Sequence, residues 1–197
     1  MGGPGKIGCG FGINYEDNPD SQLFGCVNDV KNETEVLFGH LGYDPDWFTI
    51  MTDHTVKKPT LENMVTALIN LAKMTHEYPT VQEVWISYSG HGTFVHDEGE
   101  GSGDERDQRD ECLVPLDYMK GGLLKDDTLN HILALMHPRV SVFIKADCCH
   151  SGSIFDLRYR FQSGSKTVEE NPGCQIKARV FMLSGCRDKQ VSMDAYD

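Results

Sequence analysis

Two short segments of the chain carry side chains that can do nucleophilic chemistry. His91 stands between two glycines in the segment Ser87–Gly92, and Cys149 precedes a histidine in the segment Asp147–Gly152. A neutral imidazole beside a thiol can accept its proton, and the thiolate then attacks a carbonyl carbon. Flanking glycines permit sharp turns and a close approach of a substrate backbone. We therefore predict that His91 is a general base and Cys149 a nucleophile, with backbone N–H groups of residues 150–152 stabilising the oxyanion.

Other chemistries fit these residues less well. A histidine or cysteine alone at a strand end is more often structural, and buried cysteines are common. A zinc site is disfavoured because Cys148 and Cys149 would point to opposite sides of an extended chain, and no Cys-x-x-Cys pair supplies further ligands. A phosphatase loop would need arginine six residues after the cysteine, where Phe155 stands. A redox pair of Cys148 and Cys149 is a further alternative, although vicinal cysteines form strained rings.

Bulk composition narrows the range of partners. The chain has 197 residues and a formal net charge of −12, so nucleic acid is a poor ligand, whereas a cationic substrate or a hard metal ion is compatible. The seven cysteines form no pattern typical of a small disulfide scaffold. No signal peptide or membrane span is visible, so we expect a cytoplasmic, reducing location without membrane contact.

The elements that must position the two segments alternate between strands and helices. This alternation predicts an α/β domain with a mainly parallel sheet. Ligands of such sheets bind beyond the carboxyl ends of the strands, which is where the sequence places His91 and Cys149. Strands are predicted over Lys6–Ile13, Trp47–Met51, Val81–Ser89, Val140–Ala146 and Arg179–Leu183, and helices over Asn28–Leu41, Leu61–His76 (with Thr60 as N-cap) and Thr128–Met136.

Two long segments interrupt this order. Thr93–Glu111 is rich in Gly, Asp and Glu, and Arg160–Lys177 is rich in Ser, Gly and Lys, so we predict that both are irregular loops. We expect residues 1–197 to form a single domain. A sheet covered on both faces needs another helix after the last strand, which indicates a domain truncated at its C-terminus.

Several ordered motifs over nearly the whole chain resemble those of the metacaspases, relatives of the caspases. The resemblance implies a caspase-like α/β/α sandwich, a Cys–His dyad and endopeptidase activity, with Cys149 at the nucleophile position and Cys148 as a bystander. The long segment after His91 is similar to that of the type I branch. The motifs are Gly12–Tyr15, Cys26–Val30, Tyr88–Gly92, Leu113–Asp117, Lys125–Asp127, Asp147–Gly152 and Ser184–Gln190.

The resemblance also implies a substrate preference. Metacaspases cut protein or peptide chains after Arg or Lys, and their acidic pocket residues match Asp29 and Asp147, with Ser89 beside them. Paired carboxylates with a hydroxyl can bind a guanidinium or ammonium group through charge-assisted hydrogen bonds. Without the resemblance, Asp29 is explained as an acidic residue near a helix N-terminus.

Many metacaspases require calcium, and the residues that match their site are Asp110, Asp126, Asp127 and Asp156. Calcium prefers several oxygen ligands, chiefly carboxylates. No EF-hand pattern is present, and Asp126 and Asp127 also suit the N-cap of the following helix. Our hypothesis is that calcium orders Thr93–Glu111 and thereby activates the enzyme.

Self-processing is a further expectation, since Arg158, Arg160, Lys166 and Lys177 lie in or beside the second long segment. We expect a monomer, because caspase-type dimerisation is not typical of the family that the chain resembles. The competing hypothesis is a catalytically impaired, caspase-like pseudoenzyme that acts as a binding scaffold.

Overall fold

The computed structural model describes residues 3–96, 109–149, 154–161 and 168–185. Short 3-10 turns cover Pro19–Ser21 and Pro45–Trp47. The helices of these residues are α1 (Cys26–His40), α2 (Leu61–Glu77), α3 (Tyr118–Gly121) and α4 (Asp126–Ala134). The strands are β1 (Lys6–Gly12), β2 (Phe48–Thr52), β3 (Glu83–Ser89), β4 (Gly92–His96), β5 (Arg109–Leu113), β6 (Leu124–Lys125), β7 (Ser141–Asp147), β8 (Tyr159–Phe161), β9 (Val168–Glu170) and β10 (Arg179–Ser184).

A parallel sheet forms the centre of the described fold. Its five strands lie in the order β10-β7-β3-β1-β2, and every neighbouring pair is parallel. Parallel strands need crossover connections, and the helices between them supply covering layers. The predicted α/β architecture with a mainly parallel sheet is therefore confirmed.

The two faces of β1 explain how helices pack on the sheet. Ile7, Cys9 and Phe11 are buried in the main core together with side chains of α2. On the other face, a Cβ added at Gly12 would lie 2.5 Å from the carbonyl oxygen of Cys26, the first residue of α1. Since successive strand residues face opposite sides, α1 and α2 cover opposite faces of the sheet.

The start of α2 agrees with the N-cap prediction. The Thr60 hydroxyl accepts a hydrogen bond from the backbone N–H of Asn63 at 3.3 Å. A carboxylate oxygen of Asp117 accepts from the N–H of Leu61 at 2.9 Å. Both bonds satisfy donors that a helix cannot pair internally, and the second ties α2 to the chain before α3.

The prediction of two irregular loops was partly wrong. Thr93–Glu111 contributes most of β4 and part of β5, which pair antiparallel, and β6 adds to β5. Arg160–Lys177 contributes to β8 and β9, a second antiparallel pair. Their glycine-rich and charged composition hid short strands whose stability comes from main-chain pairing rather than from an apolar pattern.

Several other elements have boundaries that differ from the predicted ones. The helix predicted from Asn28 already begins at Cys26, and the helix predicted from Thr128 begins at Asp126. Trp47 belongs to a 3-10 turn rather than to β2. In the described part of the chain, no helix is both long and apolar enough to cross a bilayer.

Candidate active site

The two strand ends predicted to carry chemistry are neighbours in the sheet. β3 and β7 pair in parallel, and their last paired residues are Ser89 and Asp147. The N–H of Gly90 donates to the carbonyl oxygen of Asp147 at 3.2 Å, so the pairing continues one residue further. His91 and Cys149 each follow that pair by two residues. The register therefore brings the two residues of the predicted dyad to the same point of the sheet edge.

Gly92 shows how closely the two segments approach. A Cβ built on Gly92 would lie 2.0 Å from the carbonyl oxygen of Cys149 and 3.2 Å from the sulfur of Cys148. Any side chain at this position would overlap the main chain of Cys149. We predicted that the glycines beside His91 admit a substrate backbone; at Gly92 the close neighbour is instead the Cys149 backbone.

The imidazole of His91 is oriented by a carbonyl group. Its Nε2 lies 2.7 Å from the backbone oxygen of Ser21, in the 3-10 turn Pro19–Ser21. Because a carbonyl oxygen only accepts, Nε2 must carry the proton, and Nδ1 of the neutral ring is then the basic atom. The ring also packs against the ring of Tyr15 in a tilted arrangement, with centroids 4.8 Å apart and an interplanar angle of 36°. Ser21 could not be identified from the sequence, because it contributes a main-chain oxygen that any residue carries.

The two adjacent cysteines lie in different environments. Cys148 is 1% exposed and belongs to the main core, whereas Cys149 is partly exposed. This difference follows from the alternation of side chains at the end of a strand and favours Cys149 as the nucleophile. No disulfide joins the two residues in the described part of the chain. The predicted oxyanion hole at residues 150–152 lies outside the described residues.

The three predicted pocket residues meet at the same edge of the sheet. The Ser89 hydroxyl donates to a carboxylate oxygen of Asp29 at 2.8 Å, and Asp29 lies in the first turn of α1. Asp147 is the register partner of Ser89, so the two side chains share the sheet face that α1 covers. A Cβ at Gly185, directly after β10, would lie 2.6 Å from Oδ1 of Asp147. Two carboxylates and a hydroxyl next to Cys149 form a site suited to a cationic side chain.

Three of the four residues predicted to bind a metal come together. Carboxylate oxygens of Asp126, Asp127 and Asp156 lie within 4.8 Å of one another; we call these residues the carboxylate cluster. The fourth, Asp110, is not part of this group, and its Oδ2 lies 2.5 Å from Nζ of Lys125. All ligands offered by the cluster are hard oxygen atoms, the type that calcium prefers.

The electrostatics of Asp126 reflect this crowding. Burial is the largest of the effects that raise the pKa of Asp126 from 3.8 to about 6, and the charges of Asp110 and Asp127 contribute to the same shift. Hydrogen bonds from the N–H groups of Glu111 and Asp127 act in the opposite direction. The carboxyl group is only 1% exposed, so its negative charge lacks water as a compensating solvent.

Asp156 is directed toward the cluster by its backbone. Its φ angle of 43° lies in the left-handed region, which is uncommon for a residue with a side chain. The side-chain amide of Asn130, on α4, donates to the carbonyl oxygens of Phe155 and Asp156, both at 3.0 Å. Sequence reasoning missed Asn130, because a polar residue on a helix surface has no distinguishing pattern.

Known proteins share sequence similarity with most of this chain. Residues 9–158 match the family model described as metacaspase, peptidase C14 domain. A similar curated protein is metacaspase III c of Phaeodactylum tricornutum, 35% identical over 163 residues, which are 81% of this chain and 46% of that protein. Metacaspase-2 of Trypanosoma brucei brucei is 33% identical over 206 residues, covering 93% of this chain and 54% of the relative.

Structural comparison agrees on the fold. The crystal structure of protein GSU0716 from Geobacter sulfurreducens superposes with a TM-score of 0.68 at 24% identity, covering 98% of this chain and 77% of that one. The chain spans about half the length of the curated relatives it matches. The family model covers both residues of the dyad, and together these matches show that the chain belongs to the metacaspase family of C14 peptidases.

Proposed function

We propose that the protein is a cysteine endopeptidase that uses Cys149 and His91. The observation that carries this proposal is the sheet register, which sets the two residues side by side beyond Ser89 and Asp147. The contact between Gly92 and the Cys149 backbone supports it independently. Family membership supplies the reaction class, hydrolysis of a peptide bond.

In the proposed reaction, protons move between Cys149, His91 and the substrate. Nδ1 of His91 takes the thiol proton of Cys149, and the thiolate sulfur attacks the scissile carbonyl carbon. The imidazolium returns that proton to the leaving amine as the carbon–nitrogen bond breaks, which leaves a thioester. Water, deprotonated by the same imidazole, then hydrolyses the thioester and regenerates the thiol. Throughout the cycle, the Ser21 carbonyl accepts from Nε2 and stabilises the imidazolium.

The first test is peptide cleavage with matched cysteine variants. Fluorogenic peptides ending in Arg, Lys or Asp are incubated with the wild-type chain, with Cys149→Ala and with Cys148→Ala. We expect the activity of Cys149→Ala to fall by on the order of 10⁴-fold, as for loss of a catalytic nucleophile. Cys148→Ala should stay within several-fold of the wild type. Absence of cleavage by a folded wild-type chain would favour the scaffold hypothesis instead.

The preferred substrate in this proposal has Arg or Lys before the scissile bond. Asp29, Ser89 and Asp147 support this preference, because they present two carboxylates beside the nucleophile. A guanidinium can bind a carboxylate through two parallel hydrogen bonds, so Arg should be favoured over Lys. Selective cleavage after Asp in the same assay would contradict this pocket assignment.

We propose further that calcium binds the carboxylate cluster and activates the enzyme. Asp126, Asp127 and Asp156 would supply oxygen ligands. A calcium ion would provide the positive charge that three close carboxylates lack, and it would tie α4 to the segment that follows the nucleophile. Asp110 could join only by leaving Lys125, with which it forms an ion pair.

Calcium binding can be measured without turnover. Isothermal titration of the Cys149→Ala chain with calcium should show a binding event that Asp127→Asn weakens, and wild-type peptidase activity should fall when a chelator is added. Full activity in chelator would reject activation. A lack of heat in the titration would reject the binding site itself.

Self-processing is the last part of this proposal. Lys177 is exposed and lies between β9 and β10 outside any strand, so an active site can reach it more easily than Arg158, which pairs with Glu170 at 3.3 Å. Lys166 lies outside the described residues. Mass spectrometry of the chain after incubation with calcium should show cleavage after Lys177 that Cys149→Ala abolishes. A cytoplasmic location and a monomeric state remain predictions from the sequence.

A further inference from the structure

We propose that three tyrosines, Tyr15, Tyr88 and Tyr118, are positioning residues that hold His91 in its catalytic orientation; we call them the tyrosine cradle. This inference deepens the proposed function and rests on it, because a general base must be held within hydrogen-bond reach of its thiol. The tyrosines come from three separate parts of the chain: the loop after β1, strand β3 and helix α3.

Two of the hydroxyl groups hold the main chain of His91. The hydroxyl of Tyr15 accepts from the N–H of His91 at 3.0 Å, and the hydroxyl of Tyr88 donates to the carbonyl oxygen of His91 at 2.7 Å. The remaining proton, on Tyr15, is donated to the carbonyl oxygen of Val114 at 2.6 Å. The N–H of Val114 in turn donates to the His91 carbonyl oxygen at 3.1 Å. Every proton of this network therefore has an acceptor, and both backbone groups of His91 are fixed.

Burial makes this network rigid. Tyr15 and Tyr88 are 1% and 2% exposed, and their hydroxyl oxygens lie 3.1 Å apart. Burial raises the pKa of both phenols, so they stay neutral and act by hydrogen bonding rather than by charge. Loss of either hydroxyl would leave buried backbone groups without their partner, which is costly in a site that excludes water.

The third tyrosine holds the group that orients the imidazole. The Tyr118 hydroxyl lies 2.9 Å from the side-chain nitrogen of Asn18 and 3.2 Å from the hydroxyl of Ser21. Ser21 is the residue whose carbonyl oxygen faces Nε2 of His91. Tyr118 also packs edge-on against Tyr15, with ring centroids 6.4 Å apart. The cradle thus fixes the main chain and the ring of His91 through separate contacts.

The loop that presents Tyr15 is itself clamped in an unusual conformation. Tyr15 has a φ angle of 55°, in the left-handed region. The two carboxylate oxygens of Asp53 accept from the N–H groups of its neighbours, Asn14 at 2.7 Å and Glu16 at 3.3 Å. A strained conformation persists only where surrounding contacts determine it, and such residues cluster at functional sites.

The test replaces each hydroxyl with hydrogen. Tyr15→Phe, Tyr88→Phe and Tyr118→Phe are compared with Tyr43→Phe, a buried tyrosine in the separate cluster with Leu37 and Phe48. We expect kcat to fall by about 10- to 100-fold in the first two variants and several-fold in Tyr118→Phe, with KM within about twofold, since misplacement of a catalytic group affects the chemical step. Tyr43→Phe should leave both constants unchanged.

A second readout does not depend on turnover. Nitrogen NMR of ¹⁵N-histidine-labelled protein reports which ring nitrogen carries the proton, and the His91 signal is assigned by its loss in His91→Gln. We expect the wild type and Tyr43→Phe to show Nε2–H. The three cradle variants should show a mixture of tautomers, because the carbonyl of Ser21 no longer faces a fixed ring.

The two readouts separate the hypotheses. Cradle variants that keep both the wild-type kcat and a single Nε2–H tautomer would overturn the inference. If the wild type does not cleave peptides, the proposed function fails, while the tautomer measurement still decides the cradle. If Tyr15→Phe or Tyr88→Phe does not fold, Tyr118→Phe decides the outcome, because its side chain is only partly buried.

Discussion

The surroundings of His91 and the carboxylate cluster differ in electrostatic character. Around His91, neutral hydroxyl and carbonyl groups satisfy one another, and its Nε2 faces the carbonyl of Ser21. In the cluster, Asp126 is buried near two other carboxylates, and its pKa is raised. The surroundings of His91 are therefore held in place by hydrogen bonds within the chain. In the carboxylate cluster, carboxylates crowd one another, and we propose that a calcium ion supplies the compensating charge.

Among variants that keep both His91 and Cys149, the largest effect is expected where the segments that carry these two residues touch. Gly92→Ala should lower peptidase activity by about 100-fold, because its Cβ would displace the carbonyl of Cys149 and shift the nucleophile. Calcium should not restore this loss, since the change affects the region that the chain organises by itself. Steady-state rates at saturating calcium check this expectation.

A matched glycine variant controls for backbone effects. Gly39, near the end of α1, has open space where a Cβ would be. Gly39→Ala should leave the activity unchanged and stabilise the fold by about 0.5 kcal/mol through helix propensity. Equal losses of activity in both variants would mean that Gly92 has no special role at the site.

The next effect concerns the carboxylate cluster, where we propose that calcium binds. Asp127→Asn removes one negative charge and one strong ligand from the carboxylate cluster. We expect the calcium concentration for half-maximal activity to rise by about 10-fold, with little change in the maximal rate. A calcium titration of activity measures both quantities; Asp46→Asn, at a distant 3-10 turn, is the control. A loss of maximal rate without a shift in the titration would place Asp127 in catalysis instead.

A smaller effect tests how Asp156 is held. Asn130→Ala removes the two hydrogen bonds to the carbonyl groups of residues 155 and 156. The half-maximal calcium concentration should rise by about threefold, because Asp156 must then be ordered when calcium binds. Asn70→Ala, on the exposed face of α2, should have no effect. Identical titrations for both asparagine variants would show that Asn130 does not support the cluster.

The smallest effect is expected in the substrate pocket. Ser89→Ala removes the hydrogen bond to Asp29 but leaves both carboxylates in place. We expect KM for Arg-ended peptides to rise by about twofold, with kcat nearly unchanged, because one hydrogen bond that positions a pocket carboxylate is lost. Peptides ending in Lys should respond in the same direction. An effect on kcat alone would connect Ser89 with the dyad rather than with the pocket.

The sequence predicted the central strands well because their apolar runs are bounded by clear turn signals. β3 and β7 were placed within two residues of their observed bounds, and this was enough to locate His91 and Cys149 at strand ends. The antiparallel strands β4 and β5 were missed, because their stability depends on main-chain pairing with each other and with β6. Short strands stabilised by such contacts carry little local pattern.

The site residues also differ in whether they could be identified from the sequence. Cys149, His91 and the pocket acids could be named from the chain, because their side-chain chemistry and the resemblance to metacaspases identify them. Ser21 acts through a main-chain carbonyl, and Asn130 acts through bonds to a distant backbone. Neither leaves a signal in residue type or spacing.

The sequence by itself determined the residue types: a histidine beyond one strand, a pair of cysteines beyond another, and enough carboxylates for the proposed basic substrate and cation. Only the tertiary structure decided which of these groups meet. The sheet register joins the dyad, while Asp110 pairs with Lys125 instead of joining the cluster. The tertiary structure also places tyrosines from three segments around His91. The physical reason is that hydrogen bonds and charge interactions act over a few ångströms, and folding alone sets those separations.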